Sequence, residues 1–179
     1  MRRLALLAAL VLVAGCGGTQ AEDLTGAVKV PAGYVVFRGE GVSLVHPKGW
    51  RVAVRRYPIR TVLEASKPGD RAAGSIFVFL ERRPSVRSPR DQLDDLQVVR
   101  KAQDARDVVR SVRDVDLSGA KEAVLEVAHL TERGGTRIVQ ANVEAVTDRD
   151  RDASISATVL ESRRAGLDAK AVARSFRLG

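Results

Sequence analysis

Hydrophobic residues follow two different patterns along the chain. The first is an unbroken apolar run of 11 residues, positions 4–14, directly behind Met1, Arg2 and Arg3. From Tyr34 onwards, apolar and polar residues alternate in short segments that are separated by turns rich in glycine, proline and aspartate. A short apolar run behind basic residues is typical of a secretory signal, whereas alternation is typical of half-buried strands. The pattern therefore predicts an export signal followed by a domain rich in strands.

The alternating segments predict nine strands and an antiparallel arrangement. They cover residues 34–38, 42–46, 50–56, 61–65, 75–81, 108–115, 123–132, 136–146 and 153–160. Segment 75–81 is apolar on both faces, which favours a central strand. Segment 136–146 alternates most regularly. It is predicted to point Val139, Ala141, Val143 and Ala145 inward, and Gln140, Asn142 and Glu144 outward.

Two helices are predicted from their capping residues. Ser88 and Asp91 form a capping box around Pro89, and this helix should run to about residue 103. Its predicted buried stripe consists of Leu93, Leu96, Val99 and Ala102. Asp168 caps a second, C-terminal helix that docks on the sheet through Val172, Ala173 and Phe176. Strands in runs with two helices predict an α+β fold, an antiparallel β-sheet covered by helices.

The apolar run ends in Val13-Ala14-Gly15-Cys16, and Cys16 is the only cysteine of the 179 residues. This sequence is similar to the lipobox of bacterial lipoproteins, which implies cleavage before Cys16 and a diacylglycerol on its thiol. The predicted organisation is a signal peptide over 1–15, a flexible tether over 16–32 and one domain over 33–179. The alternative is an ordinary signal peptide with a chance cysteine. A lone lipid-bearing cysteine also leaves no disulfide for the mature domain.

The charge is strongly basic, with a formal net charge of +8 at pH 7. Removal of Arg2 and Arg3 leaves 28 basic and 22 acidic side chains, a net charge of +6. For an exported protein, anionic head groups or wall polymers suit this charge better than nucleic acid, and an aromatic content of 4% argues against base stacking. A merely solvated basic surface is the alternative. The candidate contact for an anionic surface is Arg82, Arg83, Arg87 and Arg90.

No catalytic, metal or cofactor site is predicted. His46 and His129 are the only histidines, and without a further cysteine they do not make a zinc site. Alternation places Ser43 and His46 on opposite faces of one strand, and no nucleophile-elbow motif occurs. The aspartates of segment 148–152 lack the glycine and glutamate of a calcium loop and are interpreted as a solvated turn. Trp50 is interpreted as a packing residue at the sheet edge.

One family shares motifs at both ends of the domain. Gly41-Val-Ser-Leu-Val-His-Pro-Lys-Gly-Trp50 resembles the entry motif of PsbP-like domains, as found in actinobacterial lipoproteins of the LpqN type. Ala171-Val-Ala-Arg-Ser-Phe176 resembles the terminal helix of the same domains. The resemblance spans about residues 33–178. It implies an αβα sandwich and a binding or accessory role at membranes, with no shared catalytic residues.

The sequence thus predicts a non-enzymatic, lipid-anchored protein at the outer face of the cytoplasmic membrane. Its partners would be the membrane, through the lipid, and an envelope protein or lipid, but not nucleic acid. One alternative is a carrier for a lipid or another apolar molecule, which requires a cavity between sheet and helices. A further alternative is an envelope hydrolase that uses His46 or His129.

Overall fold

The structure is a computed structural model that describes residues 21–102, 105–132 and 134–179. These residues contain two helices, α1 (Pro89–Ala102) and α2 (Ala169–Ser175), with 3-10 turns at Arg71–Ala73 and Glu161–Arg163. The strands are β1 (Glu22–Leu24), β2 (Tyr34–Gly39), β3 (Val42–Pro47), β4 (Arg51–Arg56), β5 (Arg60–Ser66), β6 (Ser75–Pro84), β7 (Arg106–Leu117), β8 (Ala120–Thr131), β9 (Arg137–Thr147), β10 (Arg151–Leu160) and β11 (Arg177–Leu178). All nine predicted strands are thereby found.

The strands form two sheets. The large sheet has eight strands in the order β1-β7-β8-β9-β10-β6-β5-β4, and the small sheet has the order β11-β3-β2. Every pair is antiparallel except β1 with β7, which is parallel. β6 lies inside the large sheet, as its apolar character predicts. The prediction that helices cover the sheet is wrong in part, because α2 shares one face of the large sheet with the small sheet.

The apolar core lies between the large sheet and the layer made by α2 and the small sheet. Of the inward side chains predicted for β9, Ala141, Val143 and Ala145 are buried here and Val139 is half-buried. The docking residues of α2 are buried in the same core. Phe176 is fully buried, and so are Val143 on β9 and Ile155 on β10. Each such side chain contributes about 1.5–3 kcal/mol when it leaves water. Alternation in the sequence therefore identified this core correctly.

Both predicted N-caps are confirmed. The amide of Asp91 donates to Oγ of Ser88 at 3.2 Å, and the amide of Ser88 donates back to Oδ2 of Asp91 at 3.4 Å. In α2, Oδ1 of Asp168 accepts from the amide of Ala171 at 3.0 Å. These contacts satisfy amides that the first helical turn leaves without partners.

The predicted buried stripe of α1 is correct at Leu93 and wrong at Val99. Leu93 is fully buried and Leu96 half-buried, but Val99 is exposed and Arg100 is buried in its place. Arg100 lies seven residues after Leu93, two helical turns along, and therefore on the same face. The side chain of Ala102 and residue 103 lie outside the described residues. The helix is thus packed on the sheet through a polar contact at its C-terminal end.

The tether predicted over residues 16–32 extends too far. Residues 22–24 form β1, which pairs with Val115–Leu117 of β7, and Leu24 is buried. Glu22 makes ion pairs with Arg113, at 3.0 Å, and with Arg174, at 2.6 Å. These partners come from distant segments, so the local polar composition of the stretch did not indicate a strand. The domain therefore begins by residue 22.

Candidate binding surface

The face of the large sheet that carries α1 bears a buried polar layer. Sequence alternation points Asn142 and Glu144 away from the apolar core, and the structure agrees with that direction. Yet neither reaches solvent as predicted: Asn142 is 0% exposed and Glu144 is 8% exposed. The reason is that α1 packs on β8 and β9. Polar groups in this position must find partners within the protein.

Glu126 of β8 is the centre of this layer and is 0% exposed. Its carboxylate accepts from Nη1 and Nη2 of Arg100 at 3.0 and 2.7 Å, one nitrogen on each oxygen. Asn142 donates at 2.8 Å and Gln97 at 3.0 Å. Nε of Arg110 lies 3.4 Å from the same carboxylate. The charge of Glu126 is thus compensated on both oxygens, and the contact fixes α1 on the sheet.

Glu144 of β9 lies in the same layer and behaves differently. Burial, and to a smaller extent the negative charges of Asp152 and Glu126, raise the pKa of its carboxyl to about 8. A hydrogen bond from Ser154, which lies opposite Glu144 in the register of β9 and β10, lowers the pKa. Desolvation outweighs that hydrogen bond, so the carboxyl carries its proton at pH 7. A neutral acid of this kind can donate a hydrogen bond that a carboxylate cannot.

An open cleft of about 400 Å³ lies where β6, β10 and the start of α1 meet. Its lining carries charges of both signs around one aromatic ring: Arg60, Phe79, Glu81, Arg83, Pro84, Gln92, Asp152 and Ser154. Gln92 of α1 donates to Asp152 at 2.9 Å, and Nε of Arg60 lies 3.5 Å from Glu81. The ring of Phe79 stacks on Phe77 with centroids 6.2 Å apart. Such a lining suits polar and aromatic groups of another molecule better than an apolar ligand.

The four arginines predicted to contact an anionic surface lie beside this cleft, but they differ in whether they form ion pairs. β6 extends to Pro84, so Arg82 and Arg83 stand on a strand that was predicted to end at residue 81. Arg87 forms an ion pair with Asp95, and Arg90 forms one with Asp114 at 2.7 Å. Arg82 and Arg83 are exposed and have no ion pair within the described residues. Of these four arginines, Arg82 and Arg83 therefore carry the positive charge that no such ion pair neutralises.

The two histidines are not brought together. His46 is buried in β3 of the small sheet, where its Nδ1 lies 3.1 Å from the carbonyl oxygen of Pro47. His129 is exposed on β8 of the large sheet, in a cleft whose lining contains Asp168 but no hydroxyl or thiol side chain. In the described part of the chain, no group of three or more His, Cys, Asp or Glu residues could hold a metal ion. The hydrolase alternative gains no support from these positions.

The remaining predicted residues are Trp50, the aspartates of segment 148–152 and the residues of the lipobox. Trp50 is buried, as expected of a packing residue, and Asp148 and Asp150 form the predicted exposed turn between β9 and β10. Cys16 and the lipobox residues Val13, Ala14 and Gly15 lie outside the described residues. Within the described residues, neither helix is both long and apolar enough to cross a membrane.

Sequence reasoning missed Glu126, Arg100 and the burial of Glu144. A weak signal was present, since Arg100 follows Leu93 at a helical spacing and stands among apolar neighbours. Glu126 alternates with Leu125 and Val127 and looks like an ordinary outward residue of a half-buried strand. Which helix covers that face depends on tertiary packing. A local pattern therefore did not distinguish a solvent-facing glutamate from a buried one.

Known proteins resemble this chain in fold rather than in sequence. No protein-family model matches the chain, and no curated protein matches it. The solution structure of cyanobacterial PsbP (CyanoP) from Synechocystis sp. PCC 6803 aligns with a TM-score of 0.55 and 15% sequence identity, over 93% of this chain and 99% of that one. A Pseudomonas aeruginosa protein of unknown function, described as a putative regulator, aligns with a TM-score of 0.39 and 13% identity, over 75% of this chain and 88% of that one. The order of strands and helices and the alignment with CyanoP together establish that this chain has a PsbP-like fold.

Proposed function

We propose that this chain is a lipid-anchored envelope protein of the LpqN type from an actinobacterium. It acts at the outer face of the cytoplasmic membrane as a non-enzymatic binding module. The observation that carries the proposal is the sequence from residue 4 to residue 16, an apolar run that ends in Val13-Ala14-Gly15-Cys16. β1 begins only six residues after Cys16, so a folded domain follows the anchor almost directly.

The surface proposed for binding is the cleft beside α1 together with Arg82 and Arg83. This surface combines exposed positive charge with the aromatic ring of Phe79 and the side chains of Asp152 and Ser154. Protein interfaces are enriched in arginine and aromatic residues, which supports a protein as the partner. The carrier alternative would need an enclosed apolar cavity, whereas this cleft is open and of mixed polarity.

Replacement of Cys16 by alanine tests the anchor. We expect Cys16→Ala to move the protein from the membrane fraction to the soluble or secreted fraction, or to leave an uncleaved precursor. The reason is that stable anchoring comes from buried acyl chains. Metabolic labelling with a palmitate analogue, followed by fractionation, measures both effects.

Cys16→Ser is the matched variant, because serine has the size of cysteine but cannot form the thioether. It should behave like Cys16→Ala. Unchanged labelling in either variant, or unchanged membrane association of a cleaved product, would contradict the anchor.

A photo-crosslinking amino acid at position 83 tests the binding surface. In intact cells we expect it to form a discrete adduct with one envelope protein. The same amino acid at Arg38, an exposed arginine on β2 in the opposite layer, should not form that adduct. Native mass spectrometry of the purified protein covers the alternative: absence of an adduct at position 83, with lipid retained by the protein, would favour the carrier.

A further inference from the structure

A second open cleft, of about 480 Å³, lies where three hydrogen-bonded turns meet. The turns are formed by residues 47–50, 67–70 and 163–166. In each turn the amide of the last residue donates to the carbonyl oxygen of the first, at 3.2, 3.2 and 2.9 Å respectively. Gly49 and Gly69 have φ angles of 87° and 76°, a conformation that glycine adopts without strain. The cleft is therefore built from backbone that local hydrogen bonds hold in place.

Each turn contributes one basic side chain to the rim of this cleft. These side chains belong to Lys48, Lys67 and Arg163, which are all exposed. Among the described residues the lining has one acid, Asp70, whose carboxylate lies 3.3 Å from Lys67 and 3.9 Å from Arg163. Three cations and one carboxylate leave a net charge of +2 at the rim. A phosphate monoester carries a charge of about −1.5 to −2 at pH 7 and therefore matches the rim.

Trp50 supplies the cleft with a hydrogen-bond donor. Trp50 is 8% exposed and lines the cleft, and in the described part of the chain its indole N–H has no acceptor. The fully buried side-chain atoms without a partner are Nε of Arg113, Oδ1 of Asn142 and Nε of Arg174. Nε1 of Trp50 is not among them and therefore keeps contact with solvent. A buried tryptophan ordinarily places its N–H on an acceptor, and an oxyanion in the cleft would supply one.

The rest of the lining includes apolar surface. Pro47, Ala73 and Ala165 line the cleft together with the ring of Trp50. Apolar surface beside a few polar groups is typical of sites for small organic ligands. Inorganic phosphate would contact the cations but leave this surface in water. The lining thus favours a ligand that joins a phosphate group to an apolar body.

We propose that this cleft binds a phosphate monoester attached to an apolar group. Lys48, Lys67 and Arg163 contact the phosphoryl oxygens, and the indole N–H of Trp50 donates to one of them. Charged hydrogen bonds of this kind are stronger than neutral ones. Ion pairs between exposed side chains contribute little, so Lys67 and Arg163 can exchange Asp70 for the ligand at small cost.

The cleft is separate from the binding surface proposed above. On β5, Ser66 stands next to the turn 67–70, whereas Arg60, which lines the other cleft, stands at the opposite end of the strand. Six residues of strand separate the two, about 20 Å. The inference therefore goes beyond the proposed function and does not depend on the lipid anchor.

The fluorescence of Trp50 tests the site, because Trp50 is the only tryptophan of the 179 residues. The full-length protein is titrated with phenyl phosphate while the tryptophan emission is recorded. We expect a saturable change, with a Kd several-fold lower than that for inorganic phosphate, because the phenyl ring packs on the apolar surface. Phenol, which has the ring without the charge, should cause no saturable change at the same concentrations.

The double variant Lys48→Ala with Lys67→Ala keeps the reporter and should weaken the binding of phenyl phosphate by about tenfold, because two of the three cations at the rim are lost. The matched control is Lys101→Ala with Lys121→Ala, which changes the net charge equally at exposed residues outside the cleft. This control should bind like the wild type. Both double variants should remain folded, because exposed substitutions have small effects on stability.

Three results would overturn the proposal: no saturable change with phenyl phosphate, equal responses to phenyl phosphate and phenol, or the same affinity in the two double variants. Dihexanoyl phosphatidic acid, a short-chain lipid whose head group is a phosphate monoester, distinguishes two sources of the ligand. Tighter binding of this lipid than of phenyl phosphate would assign a lipid head group, and weaker binding would assign a free organic phosphate. Both of these results support the site.

Discussion

Replacement of Glu144 by glutamine should increase the free energy of unfolding at pH 8 by about 2–5 kcal/mol, with little change at pH 5. The folded-state pKa of Glu144 is about 8 and its ordinary value is 4.5. The folded protein therefore holds this proton more tightly than the unfolded chain. The contribution is fully present below about pH 4.5 and is lost as the pH rises towards 8. Each pKa unit corresponds to about 1.4 kcal/mol, so the difference between 4.5 and about 8 sets the upper limit of about 5 kcal/mol.

Urea denaturation of the wild type and of Glu144→Gln at several pH values measures this difference. Glutamine keeps the size of the side chain but cannot ionise. The stability of the wild type should therefore decrease between pH 5 and 8, and that of the variant should not show this decrease. Glu122→Gln, at an exposed position on β8, is the control and should leave the pH dependence unchanged. Parallel pH profiles for wild type and Glu144→Gln would show that the carboxyl does not titrate in this range.

Replacement of Arg100 by alanine should lower the free energy of unfolding by about 3–5 kcal/mol, the cost typical of removing one partner from a buried ion pair. Glu126 would remain 0% exposed, with Arg110 at its edge and neutral donors from Asn142 and Gln97. Those groups do not replace the two charged hydrogen bonds from Arg100. Chemical denaturation followed by circular dichroism measures the loss.

Two further variants separate charge from packing. Lys101→Ala changes the exposed neighbour of Arg100 and should alter stability by less than about 0.5 kcal/mol. The double variant Arg100→Met with Glu126→Leu removes both charges and should recover most of the stability, because apolar residues of similar volume can replace a buried pair. A double variant as unstable as Arg100→Ala would show that the uncompensated charge of Glu126 does not account for the loss.

The polar layer under α1 explains why these two predictions have opposite signs. Glu126 is buried with its charge compensated by Arg100, so loss of a partner destabilises the protein. Glu144 is buried beside Asp152 and has no cationic partner among the described residues, so loss of its charge stabilises the protein above neutral pH. Neither behaviour follows from the residue type, because both positions are glutamates in adjacent strands.

The sequence by itself determined the features that depend on local periodicity. Alternation identified the inward residues of β9, and the capping residues Ser88 and Asp168 located the starts of both helices. Residues 41–50 and 171–176 carried the resemblance to PsbP-like domains, and the fold agrees with it. These signals are local because side-chain direction and cap geometry are set within a few residues.

The tertiary structure alone decided the features that depend on distant segments. It placed β1 on β7, where the sequence predicted a tether, because the partners of Glu22 come from β7 and α2. It also buried Glu126 and Glu144 beneath α1 and compensated the charges of Arg87 and Arg90. Pairing of this kind joins residues far apart in the chain. A pattern read along the sequence can give the face on which a side chain lies, but only the packed fold determines what covers that face.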